Sequence, residues 1–230
     1  MIRLDALGAV RLQRPDGQSV DEVLAQPRRL ALLVVLALAG PGVSLRRDRL
    51  LLLFWPDSDT AHARNALSRE IYVLRHALGA GVVVSRGTEE VGIDRARLVL
   101  DAAGFEALAK GGRHREALAL YRGDLLAGFH IANAPDFERW LDQERNRLRE
   151  LAAQAAWNLA ERDEAGGTDV ERVALVHRAV QLSQGDEPGV RRGMRLLARL
   201  GDRRGALALC ERFTARLQDE LGATPAAETL

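Results

Sequence analysis

The 230 residues predict a mainly helical chain with a small β component confined to its N-terminal part. Three observations predict this. The stretch from Thr60 to Leu78 has helical periodicity and a polar face without a carboxylate. Two shorter helical patterns precede it, and two β-type segments around a polar tip follow it. From Asp101 onward only helical patterns occur, and one ten-residue segment recurs.

The chain starts with Ile2 to Gln13, where Ile2, Leu4, Val10 and Leu12 alternate well enough for a short strand broken near Gly8. Pro15-Asp16-Gly17 supplies a fixed φ, a side-chain acceptor and a residue free to take positive φ, which together make a turn. Val20 and Val23 suggest a further extended segment. Pro27 sits at a natural helix start, and Arg28 to Ala39 forms a first helix ended by Gly40-Pro41-Gly42. This helix is apolar nearly all round and is expected to be the buried centre of its unit. Arg28 and Arg29 in its first turn oppose the helix dipole, a placement that contact with a phosphate would offset. Ser44 is placed to cap a second helix, Leu45 to Phe54, which Pro56 stops. Arg46, Arg47 and Arg49 lie on its outer side.

The third helix, Thr60 to Leu78, has N-cap oxygens before it in Asp57 to Thr60 and Gly79 after it. At about 100° per residue, Leu67, Ile71, Leu74 and Leu78 fall within one arc of about 60°. Arg64, Asn65, Ser68, Arg69, Tyr72, Arg75 and His76 occupy the opposite side. A solvated amphipathic helix ordinarily mixes both charge signs. A face with three arginines and no acid favours a polyanionic partner. Glu70, the one acid beyond the cap, projects near the buried edge. Val82-Val83-Val84 and Val91-Gly92-Ile93 flank Ser85 to Glu90 and read as a hairpin. The order of β-rich start, three helices and hairpin is that of a winged helix-turn-helix, with the third helix as the groove reader.

Net charge is +1 overall, but its distribution is uneven: residues 27–87 hold nine Arg against four acids, or +5. No apolar run approaches a membrane span, since Leu30 to Ala39 is only ten residues, so no membrane partner is expected. A single cysteine, Cys210, excludes an internal disulfide and fits a reducing cytoplasm. It lies in an apolar helical pattern, which points to packing.

In the C-terminal half, Gly112-Arg-His-Arg-Glu-Ala-Leu-Ala-Leu-Tyr121 recurs as Gly201-Asp-Arg-Arg-Gly-Ala-Leu-Ala-Leu-Cys210, with six of ten positions identical. A fainter copy, Asp169 to Arg178, places Ala174 32 residues before Ala206. That spacing is close to the period of tetratricopeptide repeats, whose small Ala lets paired helices approach and stack. Asn133 and Pro135 open a long helix to about Arg162, with Phe137, Trp140, Leu141, Leu148 and Ala152 on its apolar side. The expected architecture is therefore a winged helix-turn-helix over residues 1–98, then an all-α, tetratricopeptide-like helical repeat domain over 99–230.

Several segments also resemble one family. Arg28-Arg29-Leu-Ala-Leu-Leu-Val-Val-Leu, Leu52-Leu-Phe-Trp-Pro56, Ala63-Arg-Asn-Ala-Leu67 and Val73-Leu-Arg-His-Ala-Leu-Gly79 are similar to the DNA-binding half of the Streptomyces antibiotic regulatory protein (SARP) family. That half is itself similar to the winged helix of OmpR-type response regulators. Tyr121-Arg-Gly-Asp-Leu-Leu-Ala-Gly-Phe129, Asp136-Phe-Glu-Arg-Trp-Leu141 and Leu217-Gln-Asp-Glu-Leu-Gly-Ala-Thr-Pro225 resemble the family's bacterial transcriptional activator domain. The family commonly has a basic residue and then Gln in the middle of the third helix; here Ser68-Arg69 stands there, which bears on base preference and leaves the fold unaffected. The resemblance implies binding to tandem direct repeats near a promoter, contact with RNA polymerase, and an activator domain that mediates protein contacts. The residues alone leave activator and repressor both open.

On this reading the partner is double-stranded DNA, bound by self-associating protomers on repeated half-sites. Asn65, Ser68, Arg69 and Tyr72 are the candidates for base edges, since Arg pairs well with guanine and Asn with adenine. Arg64 and Arg75 could serve bases or phosphates. Arg28, Arg29, Arg47, Arg86 and Thr88 are candidates for backbone contact. The rival is a tetratricopeptide-like adaptor whose winged helix is a protein-contact surface, a reading that Glu89 and Glu90 at the wing support.

No enzyme, metal or cofactor is expected. The five histidines have no ligand spacing, and one cysteine cannot build a structural zinc site. Lys110, followed by Gly111 and Gly112, cannot form a Walker-type phosphate loop, so nucleotide hydrolysis is not expected. Asp57/Asp59, Glu89/Glu90 and Asp163/Glu164 fit a helix cap, a wing tip and a solvated helix end. Trp55, Trp140 and Trp157 are expected to anchor packing.

Overall fold

The structure, a computed structural model, describes residues 1–162 and 168–230; the Asp163/Glu164 pair lies outside them. The elements run β1 (Ile2–Asp5), β2 (Arg11–Gln13), α1 (Asp21–Leu24), α2 (Pro27–Leu38), β3 (Ser44–Arg46), α3 (Arg47–Phe54), α4 (Thr60–Leu78), β4 (Val83–Arg86), β5 (Glu90–Ile93) and β6 (Leu98–Leu100). Helices α5 (Asp101–Lys110), α6 (His114–Leu120), α7 (Pro135–Glu161), α8 (Asp169–Leu182), α9 (Glu187–Arg199) and α10 (Arg203–Leu221) follow. The fold is thus mainly α with two small sheets, as the sequence predicts. Packing defines two compact units: Met1–Ala107 with Ala119–Leu148, and Leu108–Leu118 with Arg149–Leu230. Among the described residues no helix is long and apolar enough to cross a membrane.

In unit 1, β1 is the middle strand of one sheet, antiparallel to β2 and parallel to β6. Asp101, just past β6, accepts hydrogen bonds from the backbone N–H groups of Ala6 (2.8 Å), Leu7 (3.0 Å) and Ala102 (2.7 Å). This buried carboxylate fixes the end of β1 against the start of α5. Burial pushes its pKa up, and the three N–H donors act in the opposite sense. Leu30 to Ala37 of α2 are all buried, which makes α2 the centre of the unit. The second sheet has the order β3-β5-β4 and is antiparallel throughout.

Two local expectations are corrected. Val20 and Val23 do not lie in an extended segment: Asp21–Leu24 is a single helical turn, with Val23 buried. Short apolar pairs do not settle periodicity by themselves. The second helix begins at Arg47 and not at Leu45, and Ser44 does not cap it, because Ser44–Arg46 pair with Gly92–Glu90 as the third strand of the wing sheet. Gly92 permits this pairing. A Cβ there would stand 2.9 Å from both the Val43 carbonyl oxygen and Ser44 Oγ.

An aromatic cluster joins α3 to the start of α7. The rings of Phe54 and Phe137 are stacked with centroids 5.3 Å apart, Trp140 lies 5.7 Å from Phe137, and Phe129 meets Phe137 edge-on at 6.2 Å. Arg145 donates to the carbonyls of Leu125 (2.9 Å) and Leu126 (2.7 Å), closing the turn between α6 and α7.

In unit 2, every helix start after α7 is capped by a side chain. Thr168 and Glu171 form a reciprocal capping box on α8, Asp186 accepts from Gly189 N on α9, and Asp202 accepts from Gly205 N on α10. The ten-residue repeat has a shared structural origin. Gly112 and Gly201 both have positive φ, and the residue after each donates to a carbonyl five positions back: Arg113 to Leu108 and Asp202 to Leu197, both at 2.9 Å. The recurring glycine is therefore a left-handed helix stop. Ala117 and Ala206 are buried alike, whereas Ala174 of the fainter copy is exposed and Val176, Ala179 and Val180 face the packing. That copy shares the helical period without the small-residue contact.

His114 is buried, with Nε2 3.0 Å from Asn158 Nδ2 and, among the described residues, no partner for Nδ1. Burial, and secondarily the charge of Arg162, lower its pKa. A lowered histidine pKa means the folded state binds fewer protons than the unfolded chain. The associated stability is present above the unfolded value near 6.5 and is lost as pH falls below it toward the folded value. Between pH 7 and pH 5 the melting temperature of wild type is expected to fall more steeply than that of His114→Gln. Parallel profiles would refute the assignment.

Candidate nucleic-acid interface

Asp59 Oδ1 accepts from His62 N at 2.9 Å and starts α4, while Arg14 Nη2 donates to the Ala77 carbonyl at 3.0 Å near its end. The arginine satisfies a C-terminal carbonyl and favours the negative end of the helix dipole. Ala63, Leu67, Ile71, Leu74, Ala77 and Leu78 are buried. Arg64, Asn65, Ser68, Arg69, Tyr72 and Arg75 are exposed, so all six candidates on this helix share the solvent face.

Their side chains differ in how far they are already committed. Arg69 makes no hydrogen bond or ion pair among the described residues, and Tyr72 is 69% exposed with its ring parallel to His76. Arg75 is bound to the wing: its Nε donates to the Val83 carbonyl at 3.2 Å and its Nη2 to Ser85 Oγ at 2.7 Å. Arg64 lies 3.7 Å from Asp48 of α3, with both side chains exposed.

Arg47, Arg64, Ser68 and Thr88 come together around a notch of about 290 Å³ between α4 and the wing, with Asp48 and Glu89 also in its lining. The backbone N–H of Arg47 donates to the Glu89 carbonyl at 2.8 Å, so the start of α3 holds the wing tip. Arg47 Nη1 reaches Ser68 Oγ at 3.4 Å, and its buried Nε has no partner among the described residues. Arg86 is exposed at the end of β4, and Thr88 Oγ1 is 3.3 Å from Glu89 Oε1. The third-helix face is free of acids, yet the folded surface around it is not. α3 and the wing bring two carboxylates beside it, which the helical wheel could not show.

Arg28 and Arg29 lie at the other side of α4 and form no part of that notch. Arg29 Nε pairs with Glu70 at 2.8 Å, with 11% and 20% of the two side chains exposed, and its Nη1 donates to the Glu22 carbonyl at 2.7 Å. Arg28 Nη2 donates to the Ala132 carbonyl at 3.1 Å. Both cations at the start of α2 therefore have structural partners, and Glu70 is accounted for as a tie between α4 and α2. The sequence could not signal these bonds, since the partners lie 41 and 104 residues away. Among the described residues no group of three or more His, Cys, Asp or Glu side chains is placed to hold a metal ion.

Residues 93–230 match the family described as bacterial transcriptional activator domain. No curated protein matches the chain in sequence. Among solved structures, the fold is similar to that of Mycobacterium tuberculosis EmbR, solved in complex with a low-affinity phosphopeptide, with a TM-score of 0.66 and 22% identity. All of this chain is covered, and it spans 63% of the length of the EmbR chain.

Proposed function

Because the chain belongs to the bacterial transcriptional activator domain family, we propose that it is a sequence-specific DNA-binding regulator, an activator that binds direct repeats in promoter DNA and contacts RNA polymerase. Residues 1–98 serve as the DNA-binding module and 99–230 as the activator module. The observation that carries this reading is the solvent face of α4, where the unpartnered Arg69 stands among Asn65, Ser68 and Tyr72 beside a wing. An exposed helix of this size and charge fits the major groove, with these four side chains at base edges. Arg47, Arg64, Arg86 and Thr88 contact the backbone from the wing side. Arg75, bound to β4, sets the wing against the helix and faces phosphate. Arg28 and Arg29 act through their charge at the far side of α4. One such unit offers few contacts, so two protomers bind adjacent half-sites. The reading places the protein in the cytoplasm and assigns it no catalytic step.

The experiment is selection of duplexes from a random pool at moderate salt, with wild type and Arg69→Ala. Recovery of a short direct repeat by wild type is expected. Arg69→Ala should weaken binding to it by about 1–3 kcal/mol and relax preference at one base position. A loss equal across all sequences would reassign Arg69 to phosphate. No enrichment by folded wild type would favour the adaptor reading, for which Asp48 and Glu89 in the notch are the supporting observation.

A further inference from the structure

Beside α4 in unit 1 lies a cleft of about 690 Å³, and part of its wall comes from residues far beyond the winged helix. The start of α2 contributes Arg28 and Arg29, α4 contributes Asn65, Arg69 and Glu70, and the loop between α6 and α7 contributes His130 to Ala132. The loop is held in place rather than draped. Ile131 is buried and donates its N–H to Glu138 Oε1 at 2.7 Å, His130 Nδ1 lies 3.1 Å from the same oxygen, and Arg28 holds the Ala132 carbonyl.

The charge balance of this cleft is uneven. It has three guanidinium groups and one lining carboxylate, Glu70, which is already paired with Arg29. Arg28 and Arg69 have no carboxylate partner among the described residues, and Arg28 retains a buried Nε–H with no acceptor. Two guanidinium groups without a carboxylate, Arg28 anchored on the loop and Arg69 free to turn toward a ligand, with the amide of Asn65 and the imidazoles of His62 and His130 at hand, suit a tetrahedral oxyanion that offers several acceptors at once. We propose that this cleft is a phosphate-binding site completed by the His130–Ala132 loop. The phosphate is a backbone group of bound DNA, which rests on the function proposed above, or a free phosphate ester. In the first case the activator module itself touches the duplex. Arg69 is then shared between the cleft and the groove.

The test places a charge in the cleft without touching a guanidinium. Ala132 is an exposed loop residue, so Ala132→Glu and its uncharged counterpart Ala132→Gln should both fold, which circular dichroism checks. Full-length proteins are titrated with the duplexes selected by wild type across a salt series, and separately with inorganic phosphate followed by calorimetry. A backbone phosphate in the cleft predicts that Ala132→Glu binds selected and random duplexes alike about tenfold or more weakly than Ala132→Gln. Its salt slope is expected to be smaller by about one. A free phosphate ester predicts equal duplex binding by the two variants, with inorganic phosphate bound by wild type and Ala132→Gln but lost in Ala132→Glu. If the variants are indistinguishable in both titrations, the proposal is overturned. Failure of wild type to select any duplex would instead sink the DNA reading, and the phosphate titration would still decide the cleft.

Discussion

Asp101→Ala is expected to lower the stability of unit 1 by about 3 kcal/mol, because it strands buried donors at about 1–3 kcal/mol each. Asp101 Oδ1 accepts from Ala6 N and Ala102 N, and Oδ2 accepts from Leu7 N. The β1 end is buried, with Leu4, Ala6 and Leu7 all at 1% exposure or less, so water cannot replace the carboxylate. Removal also relieves the cost of burying the charge, which holds the net effect below the sum of the lost bonds. Asp101→Asn separates the two contributions. Its carbonyl can keep the Ala6 and Ala102 bonds, but its NH2 then faces Leu7 N–H, donor against donor. An intermediate loss of about 1–2 kcal/mol follows from that single stranded donor. Urea unfolding of the three proteins checks the order; equal stability of wild type and Asp101→Ala would contradict it.

The second large effect is expected in unit 2. Gly193 is buried in the middle of α9, and a Cβ there would lie 2.8 Å from Val180 Cγ2 of α8 and 3.0 Å from Leu209 Cδ2 of α10. Both neighbouring helices close on this one position. Val180 is β-branched and has little rotamer freedom within α8 to move aside. Gly193→Ala gains about 1 kcal/mol of helix propensity and loses a similar amount to the contact, so little net change is expected. Gly193→Leu adds three more carbons to the same gap and should cost about 3 kcal/mol or more, at the upper end of overpacking effects. Amide exchange should then accelerate across α8, α9 and α10 while β1, β2 and β6 retain their protection. Unchanged exchange in α8–α10 would show that the helices part easily at Gly193.

What the sequence made legible was what is local. α4 has its Asp cap, its glycine stop and an unbroken 3.6-residue period within nineteen residues, and its two faces emerge as the wheel placed them. The repeated glycines could likewise be matched because each closes its own helix within five residues. Features that depend on distant partners were hidden. Ser44 looks like a cap until Gly92 pairs with it from 48 residues away. Arg29 and Arg75 look like free cations until Glu70 and the β4 backbone take them. The cleft beside α4 needed three separate segments to be brought together, and the loop that completes it has no motif of its own.

The path of the chain through unit 1 has a practical consequence. Phe54 is fully buried against Phe137, and β1 is held by a carboxylate at Asp101, so both depend on residues after the wing. A cassette cut at residue 98 and spliced to a foreign effector would present a bare aromatic face and a loosened first strand. Such a transplant would be prone to clump. A seam after residue 148 is no cleaner, because it would sever α7 and part Leu108–Leu118 from the Arg149–Leu230 segment they pack with, so exchange of parts is expected to succeed only when the whole chain moves together.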